Sequence, residues 1–205
     1  MMETLLSRAP NTAPPALTLL GQMSLRLARL HEVCGAARHT FALWCAAQTK
    51  GPVLWIAPDW APNGLHADGV RPFLNPGRLI FVHPRRAEDI LWTMEEALRS
   101  GATPLVVGDV PGPPGLTAVR RMHLAAQTGA QAGMGAPLGL LLTPADGGAP
   151  GVESRWHMAP RHSATDTLWH LERRRARTAP PQSWQITAPA KGAQETTPAL
   201  GIKVL

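Results

Sequence analysis

The chain is nearly without cysteine. Cys34 and Cys45 are its only two, too sparse a supply for the disulfide framework of a small secreted domain. It also lacks any apolar run approaching the roughly 18 residues of a membrane span. Its N-terminal MMETLLSRAPNTAPP has no basic region leading into a sustained apolar stretch, as an export signal would. These absences argue for a reducing, cytoplasmic setting with no membrane partner. No internal repeat is visible, so a solenoid or array is not expected. Acidic residues are scarce towards the C-terminal end: residues 151–205 carry eight Lys and Arg against four Asp and Glu, and so supply +4 of the net +6. Such a basic end suits nucleic acid or an acidic protein face without choosing between them.

What remains is a 205-residue chain with 44% hydrophobic content, enough for one domain packed around a sheet. Residues 1–16 are rich in Pro, Ala, Asn and Thr and are expected to be disordered, and 188–205 to form a flexible tail around an apolar end. Between them, residues 17–187 should fold. Arg29 to Cys34 reads as a buried strand and Arg38 to Gln48 as a helix, and GPVLWIAPD and GRLIFVHP are strands framed by Gly and Pro. From Ala87 to Ser100 the residues Ile90, Leu91, Met94, Ala97 and Leu98 recur at helical spacing. Acids in the first turn and Gly101 beyond the end complete the pattern. The strand TPLVVGDV, a helix near Leu116 to Thr128 and the strand PLGLLLTP follow. Short apolar strands alternating with helices imply a mostly parallel sheet buried on both faces. Beyond Pro144 no helix intervenes: Val152 to Met158, TLWHLERR and QSWQIT alternate or face each other across ARTAPP, as an antiparallel extension would.

A strand, a glycine turn, a helix, further alternations and a terminal antiparallel extension resemble the RecA-like ATPase core over about residues 29–187. More narrowly, LHEVCG, VLWI, EEALRSGA, VRRMHLAAQ, LGLLLTP and LERRRA, in that order and spacing, are similar to the ImuA family, RecA-like accessory proteins of damage-induced translesion synthesis. The resemblance implies a RecA-like core with a nucleotide loop at Gly35 to Thr40, a metal-site acid at Asp109 and a water-activating carboxylate at Asp59. It also implies a set of partners: an ImuB-like Y-family polymerase homologue, an error-prone polymerase and RecA.

The nucleotide apparatus is degenerate. Gly35 to Thr40 reads G-A-A-R-H-T, shorter than G-x-x-x-x-G-K-T, without the second glycine, and with Arg38 or His39 where Lys belongs. Gly108 precedes Asp109, and a one-residue slip in a strand reverses the face a side chain occupies. Asp109 is therefore expected to turn away from the loop. Thr143-Pro144 stands where the resemblance calls for a nucleotide-sensing amide. Phosphoryl transfer depends on its parts acting jointly, so the expectation is a non-enzyme without cofactor, acting through proteins. A SulA-like cell-division inhibitor and a divergent DNA-stimulated ATPase are the alternatives.

Contact candidates are Trp60, an aromatic among prolines in PDWAPNG, and Arg173, Arg174, Arg175 and Arg177 of LERRRAR. The arginines fit weak non-specific DNA binding or a charge-guarded edge strand. Trp44, Trp55 and Trp92 sit at periodic positions and are read as core or sheet-covering, and Glu95-Glu96 as the outer side of a helix. His31, Cys34, His39 and Cys45 match no common zinc spacing.

Overall fold

The structure, a computed structural model, describes residues 14–61, 64–132, 135–188 and 200–205. A hairpin of β1 (Ala16–Leu19) and β2 (Met23–Arg26) precedes β3 (Arg29–Cys34), α1 (Arg38–Ala47), β4 (Val53–Ile56), the single-turn α2 (Ala67–Val70) and β5 (Leu79–Val82). Then come α3 (Ala87–Ser100), β6 (Leu105–Asp109), α4 (Leu116–Gln131), β7 (Leu138–Leu142), β8 (Ser154–Pro160), β9 (Leu168–Ala176), β10 (Gln182–Thr187) and β11 (Gly201–Val204).

Nine strands form one sheet in the order β5-β4-β6-β7-β3-β8-β9-β10-β11. From β5 to β8 neighbouring strands run parallel, and β9, β10 and β11 continue as an antiparallel meander. The fold is thus α/β, a large mostly parallel sheet flanked by helices with antiparallel strands at the C-terminal end. Among the described residues no helix is long and apolar enough to cross a membrane.

The period of two along each strand divides the core. Val33, Trp55, Val107, Leu140, Trp156 and Trp184 face α1 and the β1-β2 hairpin, whereas Leu30, Ile56, Val106 and Leu141 face α3 and α4. Every residue of β7 is buried, which is why LGLLL shows no alternation.

Part of the expected tail is strand. Residues 189–199 lie outside the described residues, as do 1–13, but Gly201–Val204 pairs with β10, Ile202 opposite Ile186 and Val204 opposite Trp184. Leu200, Ile202 and Val204 alternate with Gly201 and Lys203, and Leu200 and Ile202 pack onto the α1-side core. Two other expectations on α3 are corrected. Its buried stripe runs through Ile90, Met94 and Leu98, so Trp92 projects from the opposite side and is 59% exposed. Glu95 is instead buried, between Arg99 and Arg121 (2.8 Å) of α4.

Candidate functional site

Because β6 lies between β4 and β7, the chain leaves the carboxyl end of β4 in one direction and that of β6 in the other. In open parallel sheets ligands bind at such a reversal, outside the carboxyl ends of the strands. Here the reversal opens a cleft of about 280 Å³ whose lining includes His39, Trp55, Asp59, Phe81, His83 and Asp109. Three of the acids and bases read from the sequence therefore meet at one place.

Asp109 does not turn away from the loop. It follows Leu105 and Val107 on the face towards α1, while Gly108 lies on the other face beneath the Met94 thioether, where a Cβ would collide with sulfur. Glycine is needed there for space, and the strand keeps its register through it. Asp109 Oδ2 accepts a 2.6 Å bond from His39 Nε2, and Arg38 Nε stands 3.5 Å from Oδ1. The acid bond fixes the ring as an Nε2 donor. Thr40, one residue further into α1, is half-buried.

The loop itself is occupied by its own chain. Gly35 N donates to Ala145 O at 3.0 Å, Ala37 N to Met158 O at 3.0 Å and Arg38 N to Gly35 O at 3.2 Å. Gly35 has φ +89°, and a Cβ there would run into the Met158 carbonyl and the His157 ring. Only glycine lets the turn lie this close to β8. Helix α1 consequently has Ala37 as its N-cap residue and no side-chain cap.

Asp59 is exposed at the mouth of the cleft, its N donating to Pro84 O at 3.3 Å. Beside it Trp60 is 50% exposed, so the ring is not folded fully onto its strand end. Trp44 and Trp55 are buried as expected.

Compared with known proteins, the chain matches no family model and no curated protein.

Glu32, which sequence reasoning passed over, organises the loop beyond β7. Fully buried, it accepts from Thr143 Oγ1 (2.9 Å), Gly148 N (2.7 Å), Ala149 N (3.0 Å) and Arg155 Nε (2.5 Å). A buried carboxylate is tolerated when it is paired and hydrogen-bonded this fully. The hydroxyl of Thr143 thus points into this network beside Pro144. The available signal was a lone acid inside the apolar run LHEVC.

The arginine run is largely engaged. Arg173 lies 5.7 Å and 5.3 Å from the Trp156 and Trp184 ring centroids and donates to Pro180 O and Gln182 Oε1. Arg174 pairs with Glu172 (2.8 Å) and Asp146 (2.9 Å), which holds both carboxyls below their usual range. Arg177 stands 3.5 Å from Glu153. Arg175 is exposed and, among the described residues, has no ion pair. Both cysteines are buried. Desolvation pushes the Cys34 thiol up to about 11 and that of Cys45 higher still, so neither is poised as a nucleophile.

Proposed function

We propose that this protein is a RecA-fold accessory factor of the ImuA kind, working through protein contacts in damage-induced, error-prone DNA synthesis and without phosphoryl transfer. The observation that carries the non-catalytic half is the state of the loop before α1. A phosphate-binding loop needs its backbone N–H groups turned to the ligand. Here those of Gly35, Ala37 and Arg38 are bonded to protein carbonyls, and the side chains standing where Lys belongs face Asp109. Nucleotide binding would have to break these contacts before making its own. Element order supports the RecA-like half: strand, glycine turn, helix, parallel alternations and an antiparallel extension follow one another as the resemblance requires.

The partners implied are the ImuB-like polymerase homologue, an error-prone polymerase and RecA, and the exposed Trp60 is a candidate contact. Direct DNA binding through LERRRAR is disfavoured, because Arg173 and Arg174 already have close intramolecular partners. Two measurements test the proposal together. Calorimetric titration with ATP and magnesium is expected to give no heat of binding, and co-expression with the ImuB-like companion a stable complex. Stoichiometric nucleotide binding, with hydrolysis abolished in Asp59→Asn, would move the protein to the ATPase class. Association with a tubulin-like division protein instead of the companion would move it to the SulA-like class.

A further inference from the structure

The outer side of α4 carries Leu116, Arg120 and Leu124 at intervals of four, so the three side chains form one stripe. Leu116 is 40% exposed and Leu124 63%. Facing the stripe are Arg29 at the start of β3 and Arg177 beyond β9, and together these residues line an open groove of about 410 Å³. Every charged residue in the groove wall is an arginine. Behind it one buried carboxylate, Glu153, is shared by Arg29 (3.6 Å), Arg177 (3.5 Å) and Arg26 (3.9 Å). None of these separations is a close hydrogen bond, and among the described residues Arg120 pairs with no acid. The groove therefore holds an excess of positive charge around its two exposed leucines. Burial, and the neighbouring charges of Arg26 and Arg177, hold the Arg29 guanidinium below its usual pKa, as expected of cations crowded together.

Nucleic acid is the obvious polyanion for such a surface, but the groove is not built for it. Single-stranded nucleic acid is held by cations interleaved with aromatic platforms. The one ring here, His123, is tied down, its Nδ1 accepting from Leu30 N (3.3 Å) and its Nε2 donating to Gly151 O (3.2 Å). Phosphates would cover the two leucines without desolvating them against anything apolar. A second copy of this chain, at +6, is a poor electrostatic match.

The geometry points to a docking groove for an acidic amphipathic helix of a protein partner, its aliphatic side chains seated on Leu116 and Leu124 and its carboxylates meeting Arg29, Arg120 and Arg177. This surface is separate from the cleft at His39 and Asp109 and does not rest on the translesion reading. An acidic helix from any pathway would fit it.

The probe is a fluorescein-labelled helical peptide of about four turns, with Leu along one stripe and Glu on its flanks. It is titrated against the full chain and followed by anisotropy beside a scramble of the same composition and an oligothymidine. The ordered peptide is expected to bind about tenfold more tightly than the scramble, and Arg120→Glu and Leu124→Ser each to weaken it about tenfold. Arg71→Glu, exposed after helix α2 and outside the groove, is expected to leave binding unchanged. Residues 120 and 124 are both exposed, so neither substitution disturbs the core, and unchanged circular dichroism verifies this. Arg120→Gln repeats the test without charge reversal. Three outcomes overturn the proposal: equal binding of the scramble, binding of oligothymidine but not of the peptide, or self-association of the chain that Leu124→Ser abolishes.

Discussion

His31 illustrates how a single side chain in this protein acquires its properties from residues far along the chain. Ser154 Oγ accepts from Trp156 Nε1 (2.7 Å) and donates to His31 Nδ1 (2.6 Å), and His31 Nε2 donates to Arg26 O (2.9 Å). The neutral imidazole is thus fully used. Burial pushes its pKa down to about 4, and burial lowers His123 and His157 in the same direction. In the unfolded chain these rings take up protons near pH 6.5. The unfolded state therefore binds more protons below that point, and stability falls as the pH drops from about 6.5 towards 4. His31 alone accounts for on the order of 3 kcal/mol of this loss. Urea midpoints at pH 7 and pH 4.5 are expected to show a marked drop for the natural chain. They should show a smaller drop for His31→Gln, which starts from a lower midpoint at pH 7. Equal drops would mean that His31 does not carry the effect. Asp146 and Glu172, whose carboxyls are lowered, add their losses only as the pH falls below their ordinary range, so the upper window belongs to the histidines. None of this was legible in LHEVC, because Ser154 lies 123 residues away. Glu32 in the same strand stands out as a lone acid, but its partners Thr143 and Arg155 lie 111 and 123 residues away. The orientation of Asp109 was misjudged because Gly108 was taken as a slip in register, whereas it is the place where Met94 meets the strand.

Elements were far more legible than contacts, because an element writes its period into its own sequence. Helix α3 was readable from Ile90, Met94 and Leu98 and from Gly101, which closes it with φ +64°. The β1-β2 hairpin, the single-turn α2 and β11 are too short for a period to stand out. What the pattern could not reveal is which outer residues of α3 a neighbouring helix would cover, and so Glu95 and Trp92 were misassigned. The crossing of α3 and α4 is set by glycine. A Cβ on Gly129 would collide with the carbonyl of Leu98, and one on Gly101 with that of Gly129. The two backbones meet directly at this point. Gly129→Ala therefore sets two effects against each other. Alanine gains about 1 kcal/mol in helix propensity, whereas forcing a methyl against an unyielding backbone costs about 1–3 kcal/mol and shifts the helices apart. The clash is expected to win, with a net loss of up to about 2 kcal/mol in urea denaturation. A control, Gly112→Ala, meets nothing within 4 Å and should be nearly neutral. A stabilised Gly129→Ala would show that the helices can separate freely.

At the scale of the whole molecule, the sheet carries two unlike halves. Its parallel half, from β5 to β3, has α1 on one face and α3 and α4 on the other, and holds the cleft at the reversal of strand order. The half from β8 onward buries Trp156, Met158, Leu171, Trp184 and Ile186 on the α1 side only. Its outer edge is β11, whose residues are mostly exposed, with Ile202 half-buried against the core. An edge strand of this kind adds to a sheet without being required to nucleate it. Deleting residues 200–205 removes two partly buried apolar side chains, worth about 1–2 kcal/mol at 25 cal/mol per Å² of area returned to water. The freed backbone groups of β10 then face solvent, which satisfies them at little net cost. The shortened chain is expected to remain cooperatively folded and to melt a few degrees lower, by about 2–4 °C for each kcal/mol lost. Trp184, covered by Trp156 at 5.8 Å between ring centroids, should keep a buried emission maximum. Unfolding on deletion, or a red-shifted tryptophan spectrum, would instead make β11 part of the cooperative core. The distinction decides how a binding experiment at this end of the molecule is interpreted. If the full chain binds the proposed ImuB-like companion and the shortened chain folds but does not bind it, the lost interaction belongs to β11 and the sheet edge. If it folds and still associates, the contact lies elsewhere on the described surface, and the α4 groove and the half-exposed Trp60 become the places to look.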